Sequence, residues 1–238
     1  MKDSSFGRVV GALVSPGATF RSIAERPTWV APFVVLLLLA FAVGVVIQLK
    51  TDPEEMVRQQ MAMMKVEVPQ EQMDKMIDDA ENRGTGAKVG FTILGVVVQA
   101  AIYALVALLF WVGFKLFGSE MDFMGSFATA LHAYMPLALG SLLNLPVMLT
   151  RASLTFEEVS SGGVLVSSLK AFAPEDASRV TESLLGSFDL FTIWTLILLV
   201  IGYRAVAKVS TAVASGLVIL YWLVYVGGKL ALTAAFIR

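Results

Sequence analysis

Cysteine is absent from the 238 residues, and histidine occurs once, as His132. Disulfides, thiolate nucleophiles, iron–sulfur clusters and the usual structural zinc sites are therefore excluded, while neither redox compartment is favoured. Charge is scarce too. Charged residues are 16% of the chain and the formal net charge is -1, where a soluble domain carries ~25% charged residues. No strongly basic face is available for nucleic acid. Apolar residues fill the gap: they make up 57% of the chain, and mean hydropathy is +0.75. That composition belongs to a membrane protein.

The apolar residues fall in runs long enough to cross a bilayer, which takes ~17–25 residues. The runs lie at 31–49, 89–117, 127–149, 188–206 and 213–236. The expected fold class is all-α, an integral membrane helix bundle with five transmembrane helices plus interfacial and extramembrane helices. The first run starts too late and is too long for the core of a cleaved signal, so it reads as a retained membrane helix. The second exceeds the required length, which implies tilt or an end emerging at Lys115. Pro136 and Pro146 in the third predict a kink or break, since proline leaves a carbonyl without its donor.

Three polar stretches separate these runs. Residues 1–30 contain two short amphipathic pieces, with Val9, Val10 and Leu13 on the first and a Ser15–Pro16 helix start on the second. Phe20 and Ile23 share a face of the second beside Arg21 and Arg26, which suits an interfacial helix. Residues 31–238 form the five-helix membrane domain. Within it, residues 50–88 open on Thr51-Asp52-Pro53, are divided by Pro69, and predict an outer helical hairpin. Residues 150–187 carry Gly162-Gly163, an apolar patch from Val164 to Phe172, and Pro174-Glu175-Asp176 as a helix start. Cationic residues near short loops mark the cytoplasmic side. Lys2, Arg8, Arg21, Arg26, Lys115, Arg204 and Lys208 put the N-terminus inside and the C-terminus outside.

Counting ~1.5 Å per residue along each helix places Asp189, Lys229 and Asn144 at similar depth near the outer surface, as a candidate polar cluster. Asp189 opens the fourth run in Gly186-Ser187-Phe188-Asp189-Leu190-Phe191. It caps a helix start, pairs with Lys229, or serves transport. His132 stands ~20 Å from Asp189 by the same rise, so no serine–histidine–aspartate arrangement can form. Six of the eleven methionines, Met56, Met61, Met63, Met64, Met73 and Met76, crowd the hairpin. Thioethers bind Cu(I), but an adaptable apolar face is the plainer reading. Small-residue stripes at Gly125, Thr129 and Ala133 and at Gly227, Ala231 and Ala235 favour helix contacts and permit a homo-oligomer. No phosphate loop, metalloprotease motif or cofactor fingerprint occurs, so no catalytic, cofactor or metal site is expected.

Three stretches in order are Leu13-Val14-Ser15-Pro16-Gly17-Ala18-Thr19-Phe20 leading to Pro27 and Pro32, Gly118-Ser119-Glu120-Met121-Asp122-Phe123 leading to His132-Ala133-Tyr134-Met135-Pro136, and Asp189-Leu190-Phe191 continuing to Gly202-Tyr203-Arg204. With them the chain resembles the prokaryotic branch of the YIP-domain family (Ypt-interacting proteins). The resemblance implies five membrane helices and a cytosolic N-terminus, and places Asp189-Leu190-Phe191 where relatives carry an acidic–aromatic helix start. Eukaryotic members are associated with Rab-type GTPases and vesicle traffic, but the short N-terminal segment here leaves little surface for a GTPase.

The expected function is non-enzymatic: a scaffold or adaptor in the inner (cell) membrane, organising membrane proteins or lipids and needing no cofactor. Glu120, Asp122, His132, Arg21 and Arg26 are the candidate cytoplasmic-side interaction residues. The alternative is a transporter of an ion, metal or lipid, using Asp189, Lys229, Asn144 and Gln99.

Overall fold

The computed structural model describes residues 4–64, 68–160, 164–174 and 176–236. The fold is an all-α membrane helix bundle: among the described residues there is no strand, and a single antiparallel bridge joins Ser168 to Asp189. The helices are α1 (Ser5–Val14), α2 (Pro16–Glu25), α3 (Val30–Lys50), α4 (Pro53–Met64), α5 (Gln70–Glu81), α6 (Thr85–Lys115), α7 (Phe123–Ala133), α8 (Met135–Thr150), α9 (Phe156–Ser160), α10 (Arg179–Gly186), α11 (Leu190–Val206) and α12 (Thr211–Phe236). A 3-10 helix covers Leu169–Phe172.

Four stretches have the length and apolarity to cross a membrane: Val30–Lys50, Thr85–Lys115, Phe123–Thr150 and Thr211–Ala235. By length and composition, four of the five expected spans qualify. The expected fourth run, 188–206, becomes α11, a helix of 17 residues, or ~25 Å against the ~30 Å hydrocarbon core. It starts late because the preceding backbone is engaged elsewhere, Leu169 N–H donating to the Phe188 carbonyl at 3.1 Å. The expected break in the third run occurs at Tyr134, between α7 and α8. Pro136 enters at the second position of α8, where its missing N–H costs little, while Pro146 stays inside the helix.

The chain divides into two compact units. Unit 1 comprises Met1–Ala40, Val96–Gly140 and Leu190–Tyr225. Its core gathers Phe20, Ile23, Phe110, Phe114, Leu198, Tyr203, Leu217 and Val218. Tyr203 is fully enclosed, its ring 4.5 Å from that of Phe110. Its hydroxyl shares a 3.0 Å hydrogen bond with Ser126 Oγ, which donates onward to the Ala107 carbonyl at 2.7 Å. The stripe at Gly125 and Thr129 lies against α11: a Cβ at Gly202 would meet Thr129 Cγ2 at 2.7 Å, and one at Gly125 would meet Val206 Cγ1 at 3.3 Å.

α2 corrects an expectation. Its Phe20 and Ile23 are buried in this protein core, because α2 packs on α11 and α7, so that apolar face meets protein and not lipid. Pro16 does open α2, but the Ser15 side chain makes no capping bond; its carbonyl instead accepts from the Thr19 hydroxyl at 3.0 Å.

Unit 2 comprises Phe41–Gly95, Ser141–Asp189 and Val226–Arg238. Asp52 Oδ1 caps α4 by accepting from the Glu54 and Glu55 N–H groups at 2.9 and 3.2 Å. α4 packs on α5, with Met61, Ile77 and Ala80 buried. Met61 packs in the hairpin as an apolar side chain, and the side chains of Met63 and Met64 lie outside those described. Gly162, Gly163 and Glu175 also lie outside the described residues. The short helix expected from 174–176 starts instead at Arg179, where the Ser178 hydroxyl accepts from the Thr181 N–H at 3.1 Å. On α12, Gly227, Ala231 and Ala235 are exposed among the described residues, so that stripe is not a packing seam between them.

Candidate functional site

In unit 2 the structure brings Asp189, Lys229 and Asn144 to one segment, residues 151–189, each at a different point. Asn144 on α8 is buried. Its Oδ1 accepts from the backbone N–H groups of Val164 and Leu165, both at 3.0 Å, satisfying two donors that an apolar environment would otherwise penalise. Lys229 on α12 donates to the Ser183 carbonyl at 3.2 Å and to Ser187 Oγ at 3.3 Å. Ser183 lies in the last turn of α10, so the ammonium sits where carbonyls concentrate negative charge. Asp189 directly precedes the first residue of α11, the N-cap position, and its Oδ2 accepts from Ser167 Oγ.

Lys170 completes the arrangement. Its ammonium lies 2.6 Å from Glu157 Oε1 and 3.6 Å from Glu182 Oε2. The hydrogen bond from Lys170, and then its charge, hold the Glu157 carboxyl below the usual carboxylate range. Lys170 carries no signal in the sequence beyond being a cation inside an apolar patch; its two partners lie 13 and 12 positions away and meet it only through the fold. The polar atoms of this cluster thus tie chain segments together.

Of the residues proposed for a transmembrane polar path, Gln99 stands one turn before Tyr103 on α6. Tyr221, near the middle of α12, donates to the Leu109 carbonyl at 2.9 Å.

Unit 1 holds the other candidate set. Asp122 is the N-cap of α7, Oδ1 accepting from the Gly125 N–H at 2.7 Å. Glu120 is exposed, as are Arg21 on α2 and Arg26 just beyond it. The link between α6 and α7 that carries Glu120 is held rigidly. Gly118 takes a left-handed φ of 77°, Ser119 Oγ donates to the Ala207 carbonyl at 2.9 Å, and Trp111 Nε1 donates to the Met121 carbonyl at 3.0 Å. Leu116, 82% exposed, and Phe117 project from the same link. His132 does not join this surface. It is wholly enclosed, with Nδ1 2.8 Å from the Ala128 carbonyl and no hydrogen-bond partner for Nε2 among the described residues.

Sequence reasoning missed Arg8. It is buried, and its Nη1 donates to the Arg26 carbonyl at 2.7 Å and to Thr28 Oγ1 at 3.0 Å. A lone cation in an otherwise uncharged helix was the available signal.

Comparison with known proteins agrees with this architecture. The chain is 24% identical over 201 residues to a protein named membrane protein YknW from Bacillus subtilis (strain 168), covering 84% of this chain and 78% of that protein. No solved structure matches. The family model of the Yip1 domain matches residues 10–232; four membrane-length apolar stretches and a match over nearly the whole chain make this protein a member of the Yip1 domain family.

Proposed function

We propose that the protein is a non-enzymatic scaffold or adaptor of the inner (cell) membrane, with its N-terminus in the cytoplasm. The observation that carries this reading is the use made of the polar side chains in the apolar helices. Asn144, Lys229 and Tyr221 spend their hydrogen bonds on backbone carbonyls, N–H groups and a nearby serine of their own unit. Such groups hold a structure together; a transport path needs polar atoms left available to a solute. α11 serves as the fifth span, since 17 residues stand at the lower limit for crossing. With five spans the N-terminal helices and the links at 116–122 and 207–210 share one side, and all three belong to unit 1. Arg21, Arg26, Lys115, Arg204 and Lys208 on these segments favour the cytoplasm.

The docking surface lies on the rigid 116–122 link, where Glu120 stands beside exposed Leu116 and Phe117, with Arg21 and Arg26 as the cationic group of the same unit. A preordered link lowers the entropy lost when a partner binds. Native mass spectrometry of the protein released from its own membrane tests the reading. A different membrane protein at fixed stoichiometry, lost on Glu120→Lys with Leu116→Ala, supports it. A bare monomer or homodimer holding a defined lipid or metal overturns it and transfers the weight to transport.

A further inference from the structure

α1 buries its one charge and leaves an apolar outer face. Among its ten residues the one ionisable side chain is Arg8, and that residue is buried, bonded to the Arg26 carbonyl and Thr28. Gly11 and Ala12 face protein as well: a Cβ on Gly11 would stand 2.6 Å from Thr19 Oγ1 of α2. What points outward is Phe6, Val10 and Val14, at 68%, 54% and 71% exposure. Their spacing of four stacks them on one face of the helix. A surface helix in water turns its apolar stripe to the core and its charges to solvent; α1 packs Val9, Ala12 and Leu13 on the core, buries its one charge beside them, and leaves an outer face that is apolar as well.

We propose that α1 is an in-plane membrane anchor whose Phe6–Val10–Val14 face is covered by the acyl chains of one bilayer leaflet. At ~15 Å the helix is too short to cross a ~30 Å core, and the single residue Ser15 joins it to α2, which is seated in protein. It therefore lies along the membrane. Two features favour lipid over a second copy or a soluble partner. The same unit exposes Val30, Val34 and Leu38 on the first turns of α3, a candidate membrane span, so lipid is the solvent that exposed apolar surface of this unit is built for. Arg21 and Arg26 are exposed on the adjoining α2 segment, and cations beside an apolar face complement the phosphates above the acyl chains. The anchor is independent of whether any protein docks on the 116–122 link.

Because the chain has no cysteine, single cysteines can be placed without background. Phe6→Cys, Val10→Cys, Val14→Cys and Arg21→Cys are spin-labelled in the full chain, in nanodiscs of mixed phosphatidylcholine and phosphatidylglycerol. Accessibility to oxygen and to a water-soluble nickel chelate is then measured. Labels at 6, 10 and 14 are expected to meet oxygen several-fold more readily than nickel, with the reverse at 21. Nickel access at 6, 10 and 14 would place the stripe in water and overturn the proposal. Shielding from both reagents, or dipolar broadening between labels, would mean protein or a second copy covers it, which overturns it equally. Three positions are used so that a fold defect in one variant leaves two to decide.

Discussion

Seating α2 on protein instead of on the bilayer makes a sharp demand at Gly202. A Cβ there would lie 2.7 Å from Thr129 Cγ2, 2.9 Å from Phe20 Cε1 and 3.0 Å from Phe20 Cδ1. Carbon atoms prefer ~3.5–4.0 Å, so both neighbours must withdraw by on the order of 1 Å. Neither has room: Phe20 and Thr129 are wholly buried, and the Thr129 hydroxyl is tied to the Gly125 carbonyl at 2.7 Å. Gly202→Ala should therefore cost ~1–3 kcal/mol, the usual penalty of overpacking. Phe20→Leu removes one of the two colliding groups, so the pair should not be additive. A double-mutant cycle is expected to return a favourable coupling of ~1 kcal/mol, within the range for residues in contact. The assay is reversible unfolding in mixed micelles, followed by circular dichroism as denaturing detergent is raised. A cycle that closes additively, or a Gly202→Ala variant as stable as the parent, would refute the docking of α2 on α11. If α2 lay on lipid, Phe20 would not sense residue 202 at all.

Other consequences concern the 151–189 segment. Asn144→Leu should cost ~1–3 kcal/mol by orphaning two backbone donors, and hydrogen exchange at Val164 and Leu165 should quicken selectively. Lys229→Met removes the cation from the end of α10, so protection should fall around Ser183 while the α1–α2 region stays unchanged. Asp189→Asn keeps a competent cap and should cost at most ~1 kcal/mol; loss of all folded protein would show instead that the carboxylate's charge is needed. Glu157 titrates below its unfolded value because of Lys170. Its stabilising contribution is therefore complete above the unfolded pKa and is lost as pH falls through the folded one. Proteolysis of the 156–172 stretch should accelerate as pH drops below the ordinary carboxylate range, and Glu157→Gln should flatten that dependence. The flattening, not the absolute rate, is the readout, since Glu157 is largely exposed and the pair is weak.

Much of the architecture was legible in the sequence because bilayer crossing is a one-dimensional constraint. Long apolar runs declare themselves, and so do the local helix starts at Pro16 and at Asp52–Pro53. The break near Pro136 follows from proline chemistry alone. What stayed open was contextual. The run at 188–206 did not reveal that α11 begins only at Leu190, because the Phe188 carbonyl is bonded by Leu169, a residue of the preceding segment. The Phe20–Ile23 face looked the same whether it met lipid or protein. Apolar surface accepts either, and only the notch at Gly202 selects protein.

Site residues divide along the same line. Asp122 as a cap and Asp189 at a helix start are local chemistry, readable from neighbours three residues away or fewer. Arg8, Ser119 and Lys170 acquire their roles from partners such as Thr28, Ala207 and Glu182, which sequence spacing does not bring near. The sequence by itself determined that this is a helical membrane protein without cysteine chemistry, because composition and run length decide which solvent a chain can tolerate. Tertiary structure alone decided which apolar faces meet protein, which polar side chains are consumed as ties, and that α1 turns its only charge inward. Those choices depend on which surfaces lie opposite one another, and a hydrogen bond or a close contact exists only between groups the fold has brought within a few ångströms.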